Sequence, residues 1–145
     1  MRPVAIKISK GNSSFDRENT RQEAHLLSYL GVRDPKNCRG IIRMLDKFQH
    51  KGHDCMVFEW MQGGDLFSYI TRNKNQELTP FETVKPVITL AQIRSIALQT
   101  TRALAFFEKY GIMHCDLKPE NILIEDVKTM KVKLSDMGSS IFMSD

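Results

Sequence analysis

From Thr89 to Gly111 the residues Ile93, Ile96, Ala97, Thr100, Leu104 and Phe107 recur with the period of an α-helix. Thr89 is placed to cap its start and Gly111 its end. Directly after it comes the polar stretch "HCDLKPEN", and then "NILIED" and "KVKLSD", two short alternating runs around the turn "VKTM". A long helix feeding a hairpin through one short loop points to an α+β chain, and it brings whatever that loop carries to one place. Upstream, "VAIKI" (4–8) reads as a strand and "SKGNSSFDRENT" as a loop. A helix follows, with Glu23, Leu26, Leu27 and Leu30 on one stripe and Gly31 as its left-handed end. "IIRMLDKFQH" and "CMVFEWM" read as two strands joined by the turn "KGHD", and "QGGDLFSYI" as a Gly-Gly break into a short helix near Asp65. The polar segment 71–89, with two prolines, reads as a surface connection.

Glu23 rides on the buried stripe of its helix, and a carboxylate there requires a cation. The loop after the long helix is denser in chemistry. Asp116, Lys118 and Asn121 fall within six residues, stiffened by Pro119. A carboxylate can take a proton from an attacking hydroxyl, an ammonium can neutralise a transferring phosphoryl group, and an amide oxygen can ligate a hard cation. The hairpin returns Asp136 to the same neighbourhood as a second oxygen ligand, with Gly138 beside it allowing a sharp turn. In outline this is a metal-nucleotide phosphoryl-transfer site.

"VAIK" at 4–7, "HCDLKPEN" at 114–121 and "SDMG" at 135–138, in that order, resemble the signature set of protein kinases. The resemblance implies a partial two-lobed kinase fold: the rear of the small lobe and the hinge in residues 1–61, and the start of the large lobe in 62–145. It implies that Lys7 binds the α- and β-phosphates of ATP and pairs with Glu23, that Asp116 is the catalytic base, and that Lys118 meets the γ-phosphate. Asn121 and Asp136 would hold Mg²⁺. Phe58 would be the gatekeeper, Glu59 and Met61 would offer backbone groups to adenine, Asp65 would reach the ribose, and Ala5 and Leu123 would sandwich the ring. "DLKPEN" is similar to serine/threonine kinases, so the implied acceptors are serine and threonine of protein substrates. Cys115, "DMGSS" and "FQHKGHDCMVFE" resemble the dual-specificity tyrosine-regulated branch, or its pre-mRNA-splicing relatives, in the CMGC group. The alternatives are a pseudokinase scaffold that binds nucleotide weakly, and a small nucleotide-binding module.

The chain departs from the family pattern in three ways. Cys115 stands where an arginine usually clamps a phosphorylated activation segment. Met137 replaces a phenylalanine and is expected to pack beside His114, Leu27 and Met44. No glycine-rich loop precedes Lys7 and only seven residues follow Gly138, so the chain reads as part of a domain, inactive by itself. Simpler readings hold elsewhere. His50, His53 and Cys55 belong to a turn and its strand, His114 to the core, and His25 to the surface. A net charge of +4, spread without a like-charge block, gives no sign of nucleic-acid binding. No apolar run approaches the roughly 18 residues of a membrane span. Three cysteines without C-x-x-C spacing suggest a reducing compartment, nuclear or cytoplasmic. The catalytic domain is expected to be monomeric.

Overall fold

The computed structural model describes residues 2–9, 14–71 and 88–143. Strand β1, Val4–Ile8, is the predicted "VAIKI" run, and it pairs antiparallel with β3, His53–Glu59, placing Ala5 opposite Phe58 and Lys7 opposite Met56. On its other side β3 pairs with β2, Met44–His50, giving a sheet in the order β1-β3-β2. The connecting turn is tighter than "KGHD". Lys51 and Gly52 both take positive φ, 48° and 80°, as a two-residue hairpin turn requires, so His53 and Asp54 join the strand.

Helix α1, Ser14–Arg33, corrects the sequence reading at both ends. It begins inside the stretch read as a loop, because its first turns are polar for a helical reason. Asp16 suits the positive N-terminal end, and the Thr20 hydroxyl donates to the Asp16 carbonyl at 2.8 Å. At the other end Gly31 lies within the helix and caps nothing. The helix ends at Arg33 because Pro35 disfavours helix at Asp34, and the buried Asp34 carboxylate then accepts from the backbone N–H of Cys38 at 3.0 Å and Arg39 at 2.8 Å.

The predicted strand 41–50 divides, because Ile41 and Ile42 leave the β2 ladder for the lower sheet. Ile42 N–H donates to Leu134 O at 2.9 Å, and Leu134 N–H to Gly40 O at 2.7 Å. That lower sheet has the order β4-β6-β7: Gly64–Asp65, Ile122–Asp126 and Lys131–Leu134. The Asp65 carboxylate accepts from Ser68 N–H at 2.7 Å and opens the short helix α2, Leu66–Thr71, where the Gly-Gly break pointed. Helix α3, Leu90–Lys109, has the predicted start: Thr89 and Gln92 form a reciprocal capping box, and Gly111 follows the end with φ 63°. Its buried side chains are Ile96, Ala103, Phe106 and Phe107, whereas the predicted Ile93 is 52% exposed. Finally β5, Ile112–Met113, pairs with β8, Ile141–Phe142.

One apolar core runs from Leu26, Leu27 and Leu30 of α1 through Met56 and Phe58 to Phe107, Ile124, Leu134 and Met137. Met137, wholly buried, shares this core with Leu27, and Met44 packs against the core. The segment 71–89 falls almost entirely outside the described residues. No helix among the described residues is long and apolar enough to cross a membrane.

Candidate nucleotide-binding and catalytic site

A cavity of about 520 Å³ opens between the two sheets. That is within the usual range for small-molecule sites. Ala5, Lys7 and Glu23 line it from above, Phe58, Glu59, Met61 and Asp65 along the connection, and Asn121, Leu123 and Asp136 from below. These are ten of the eleven residues that the sequence assigned to nucleotide and metal; Lys118, assigned to the γ-phosphate, is not in the lining. Alternation along β1 turns Ala5 and Lys7 to the same side, and the Asp65 and Leu123 positions are paired across β4 and β6.

Lys7 is the meeting point. Its Nζ lies 2.9 Å from Glu23 Oε1, 2.7 Å from Glu23 Oε2 and 3.1 Å from Asp136 Oδ1. Burial works against the ammonium, but Glu23 first and Asp136 second outweigh it and hold Lys7 above the ordinary lysine value. Burial raises the Glu23 carboxyl, and the Lys7 charge draws it back. Burial prevails, so the Glu23 carboxyl stays above its ordinary value even with both its oxygens on one ammonium.

Below the cavity the loop 114–121 is held by backbone contacts that the linear motif cannot display. His114, 3% exposed, places Nε2 3.0 Å from Ser135 O and accepts at Nδ1 from Asp116 N–H at 3.2 Å, while its ring stacks on Phe107. It is the core histidine expected. Asp116 is not among the residues lining the cavity, but it bonds Asn121, which is. Its carboxylate takes Lys118 Nζ at 2.8 Å and Asn121 Nδ2 at 2.9 Å. The Lys118 hydrogen bond, helped by that of Asn121, holds Asp116 below the usual carboxylate range.

Asn121 fits a metal ligand. Its Nδ2 donates to Asp116 O at 2.8 Å as well as to Asp116 Oδ2, which fixes the amide with Oδ1 as the remaining acceptor. Asp136, half-exposed on the same wall, supplies carboxylate oxygen, and two such ligands are what Mg²⁺ commonly takes from a protein when phosphate and water complete its shell. His53 Nδ1, in β3, instead lies 2.9 Å from Ser9 O, a structural contact, and His25 is exposed.

Sequence reasoning missed a buried ion pair behind the connection. Lys133, 2% exposed, lies 2.7 Å from Glu59 Oε1, and the same carboxylate accepts from Arg43 N–H at 2.8 Å and Asn37 Nδ2 at 3.0 Å. The signal was the "KVKL" run: β7 is buried on both faces from Val132 to Leu134, so a lysine there required an acid.

The description "Protein kinase domain" matches residues 1–145. The chain is 37% identical over 98% of its length to the serine/threonine-protein kinase ppk5 of Schizosaccharomyces pombe, of which it spans 16%. It is 34% identical over 96% to the probable serine/threonine-protein kinase yakA of Dictyostelium discoideum, spanning 9% of it. To human dual specificity tyrosine-phosphorylation-regulated kinase 3 it is 32% identical over 96%, spanning 22%. A family-wide match over every residue, joined to a cavity lined by the motif residues in their expected order, makes this chain a member of the protein kinase family.

Proposed function

We propose that residues 1–145 form the nucleotide-binding and catalytic centre of an ATP-dependent kinase that phosphorylates serine or threonine of protein substrates. The observation that carries this reading is Lys7: one ammonium bonded to Glu23 and Asp136 at the wall of the same cavity that Asn121 lines. Residues 1–61 would serve as the upper lobe and hinge, and 62–145 as the start of the lower lobe. Ala5 and Leu123 would enclose the adenine beside the gatekeeper Phe58, the backbone of Glu59 and Met61 would meet its edge, and Asp65 would meet the ribose. Lys7, steered by Glu23, would hold the α- and β-phosphate oxygens, and Asn121 and Asp136 would hold Mg²⁺. Magnesium-ATP, once bound, supplies the transferable phosphoryl group and the divalent charge that offsets it.

Asp116 would orient the acceptor hydroxyl and take its proton, and Lys118 would turn from Asp116 to the γ-phosphate. With Asp116 kept ionised by its two donors, no dry pocket is required for that role. Three free cysteines suit a reducing compartment, nuclear or cytoplasmic, and a monomeric catalytic domain needs no second chain at this cavity.

In the full-length protein, Asp116→Asn is expected to lower turnover about 100-fold or more and leave ATP affinity nearly unchanged, because Asp116 faces the acceptor. Radiometric transfer to a serine-containing protein and calorimetric ATP binding measure the two. Near-normal turnover would remove Asp116 from the role of base.

A further inference from the structure

We propose that Ser135 is a positioning residue that sets the spacing of Asn121 and Asp136, and with it the size of divalent cation that the site accepts. The proposal rests on the functional reading above. Ser135 lines the cavity, is 9% exposed, and stands between the two ligands in both senses: Asp136 is its neighbour in the chain and Asn121 its partner in space. Its backbone N–H donates to Asn121 O at 2.8 Å, and its hydroxyl donates to the same oxygen at 3.1 Å. A carbonyl oxygen offers two lone pairs, and here one residue engages it twice.

Two bonds do what one cannot. A single N–H···O contact is a hinge about which the Asn121 backbone can swing, and a second donor on the same oxygen, from a different atom of the same residue, removes most of that freedom. The surroundings are already fixed. Ser135 O accepts from His114 Nε2 at 3.0 Å, Asn121 N–H donates to Lys118 O at 3.0 Å, and the Asn121 amide is tied to Asp116 O and Oδ2. Among the described residues, the Ser135 hydroxyl is the side-chain group that fastens the Asn121 backbone to the strand end bearing Asp136.

The consequence for the site follows from the sizes of the ions. Mg²⁺ takes oxygen ligands at about 2.1 Å in near-ideal octahedral geometry, so two neighbouring oxygens on it stand about 2.9 Å apart. On Ca²⁺, at about 2.4 Å and with looser geometry, they stand about 3.4 Å apart. Ligands whose backbones are clamped together resist that difference of about half an ångström, whereas ligands free to part follow either ion. Removing the hydroxyl leaves the Ser135 N–H bond in place but releases the clamp, so it should weaken the hold on Mg²⁺ more than that on Ca²⁺. A purely structural hydroxyl would weaken both alike.

The test uses the full-length protein and titrates ATP calorimetrically across concentrations of Mg²⁺ and, separately, of Ca²⁺, with thermal unfolding alongside to show that each variant is folded. Ser135→Ala is expected to raise the Mg²⁺ concentration for half-maximal ATP binding about 5-fold and to move that for Ca²⁺ by less than about twofold. Ser135→Thr keeps the hydroxyl and should restore the wild-type ratio of the two concentrations. Asp136→Asn is the reference for lost dependence on either cation. If Asp136→Asn loses that dependence while Ser135→Ala keeps the wild-type ratio, whether by moving neither concentration or by moving both equally, Ser135 does not set the spacing and the inference is overturned. A Ser135→Thr variant whose ratio falls with that of Ser135→Ala overturns it as well. A wild type whose ATP binding needs no divalent cation would overturn the functional reading, and the inference with it.

Discussion

Lys133→Met isolates the contact that ties the lower sheet to the connection between the sheets. The ammonium it removes is 2% exposed and sits 2.7 Å from Glu59 Oε1, with Glu125 farther off at 3.9 Å. Removing one partner of a buried pair costs about 3–5 kcal/mol, because the other charge stays buried without compensation. Here the lower end applies: Glu59 is 20% exposed on its side chain and keeps hydrogen bonds from Arg43 N–H and Asn37 Nδ2. A loss of about 3 kcal/mol is roughly two orders of magnitude in the folding equilibrium. At a urea slope of about 2 kcal/mol/M it moves the unfolding midpoint by about 1.5 M. Glu59→Gln should cost at least as much, since it strands the ammonium. The double variant Lys133→Met/Glu59→Gln removes both charges of the pair and should lose less than the two single losses added, about 4 kcal/mol where they sum to about 6, a coupling of about 2 kcal/mol. Urea unfolding followed by fluorescence of Trp60, next to Glu59 and the only tryptophan of residues 1–145, reads the transition. A midpoint shift below about 0.3 M for Lys133→Met, or a double variant whose losses simply add, would show that the pair is not the buried unit described.

Gly63→Ala should destabilise by about 1–3 kcal/mol: an added Cβ would stand 2.6 Å from Ile124 Cβ and Cγ2, and the 2.9 Å hydrogen bond from Gly63 N–H to Ile124 O bars retreat, so an unchanged melting temperature would refute that packing. Asp34 is buried at a cost, yet the N–H groups of Cys38 and Arg39 hold its carboxyl below the ordinary 3.8. Its contribution is present above that value and is lost as pH falls through the lower folded value. The stability gap between wild type and Asp34→Asn should therefore narrow below pH 3.8, and a gap independent of pH would contradict the turn. Residues 1–145 expressed alone should transfer no phosphate and should associate, because β1 shows Val4, Ile6 and Ile8 at 42%, 52% and 60% exposure and α3 shows Leu90, Ile93 and Leu98 above 50%. A monodisperse, active monomer in size-exclusion chromatography would argue otherwise.

What the sequence made legible is what short-range physics decides. The strand 4–8, the Thr89 cap, Gly111 beyond α3 and the Asp65 start of α2 each depend on neighbours within a few residues. The site residues were legible for another reason: the motif fixes residue types whose chemistry has few other uses together. The failures are of two kinds, one local at the ends of α1 and the rest involving partners distant in the chain. Gly31 looked like a helix end because glycine often is one, but the true stop was Pro35 with Asp34 waiting to accept two N–H groups. Ile41 and Ile42 continued the β2 pattern perfectly well, and only the presence of Leu134, over ninety residues away, diverts them. Lys133 and Glu59, 74 residues apart, could not be paired without knowing that both faces of β7 are covered.

The backbone at the site adds a final step that no residue alphabet displays. Cys115 and Asp136, neither a glycine, take φ of 63° and 60°. A left-handed residue costs about 1–2 kcal/mol, somewhat less for aspartate, whose side chain tolerates it, than for cysteine. Both strained residues lie within one position of a carboxylate that the mechanism uses, and both are pinned from the same centre. His114 bonds Asp116 N–H on one side and Ser135 O on the other, Ser135 N–H donates to Asn121 O at 2.8 Å, and the Ser140 hydroxyl holds His114 O. His114 thus joins the loop of Asp116 to the loop of Asp136. Relaxing either turn would require breaking a buried hydrogen bond, so the strain persists, and the two carboxylates keep separate places: Asp136 in the lining of the cavity, Asp116 outside it on Asn121.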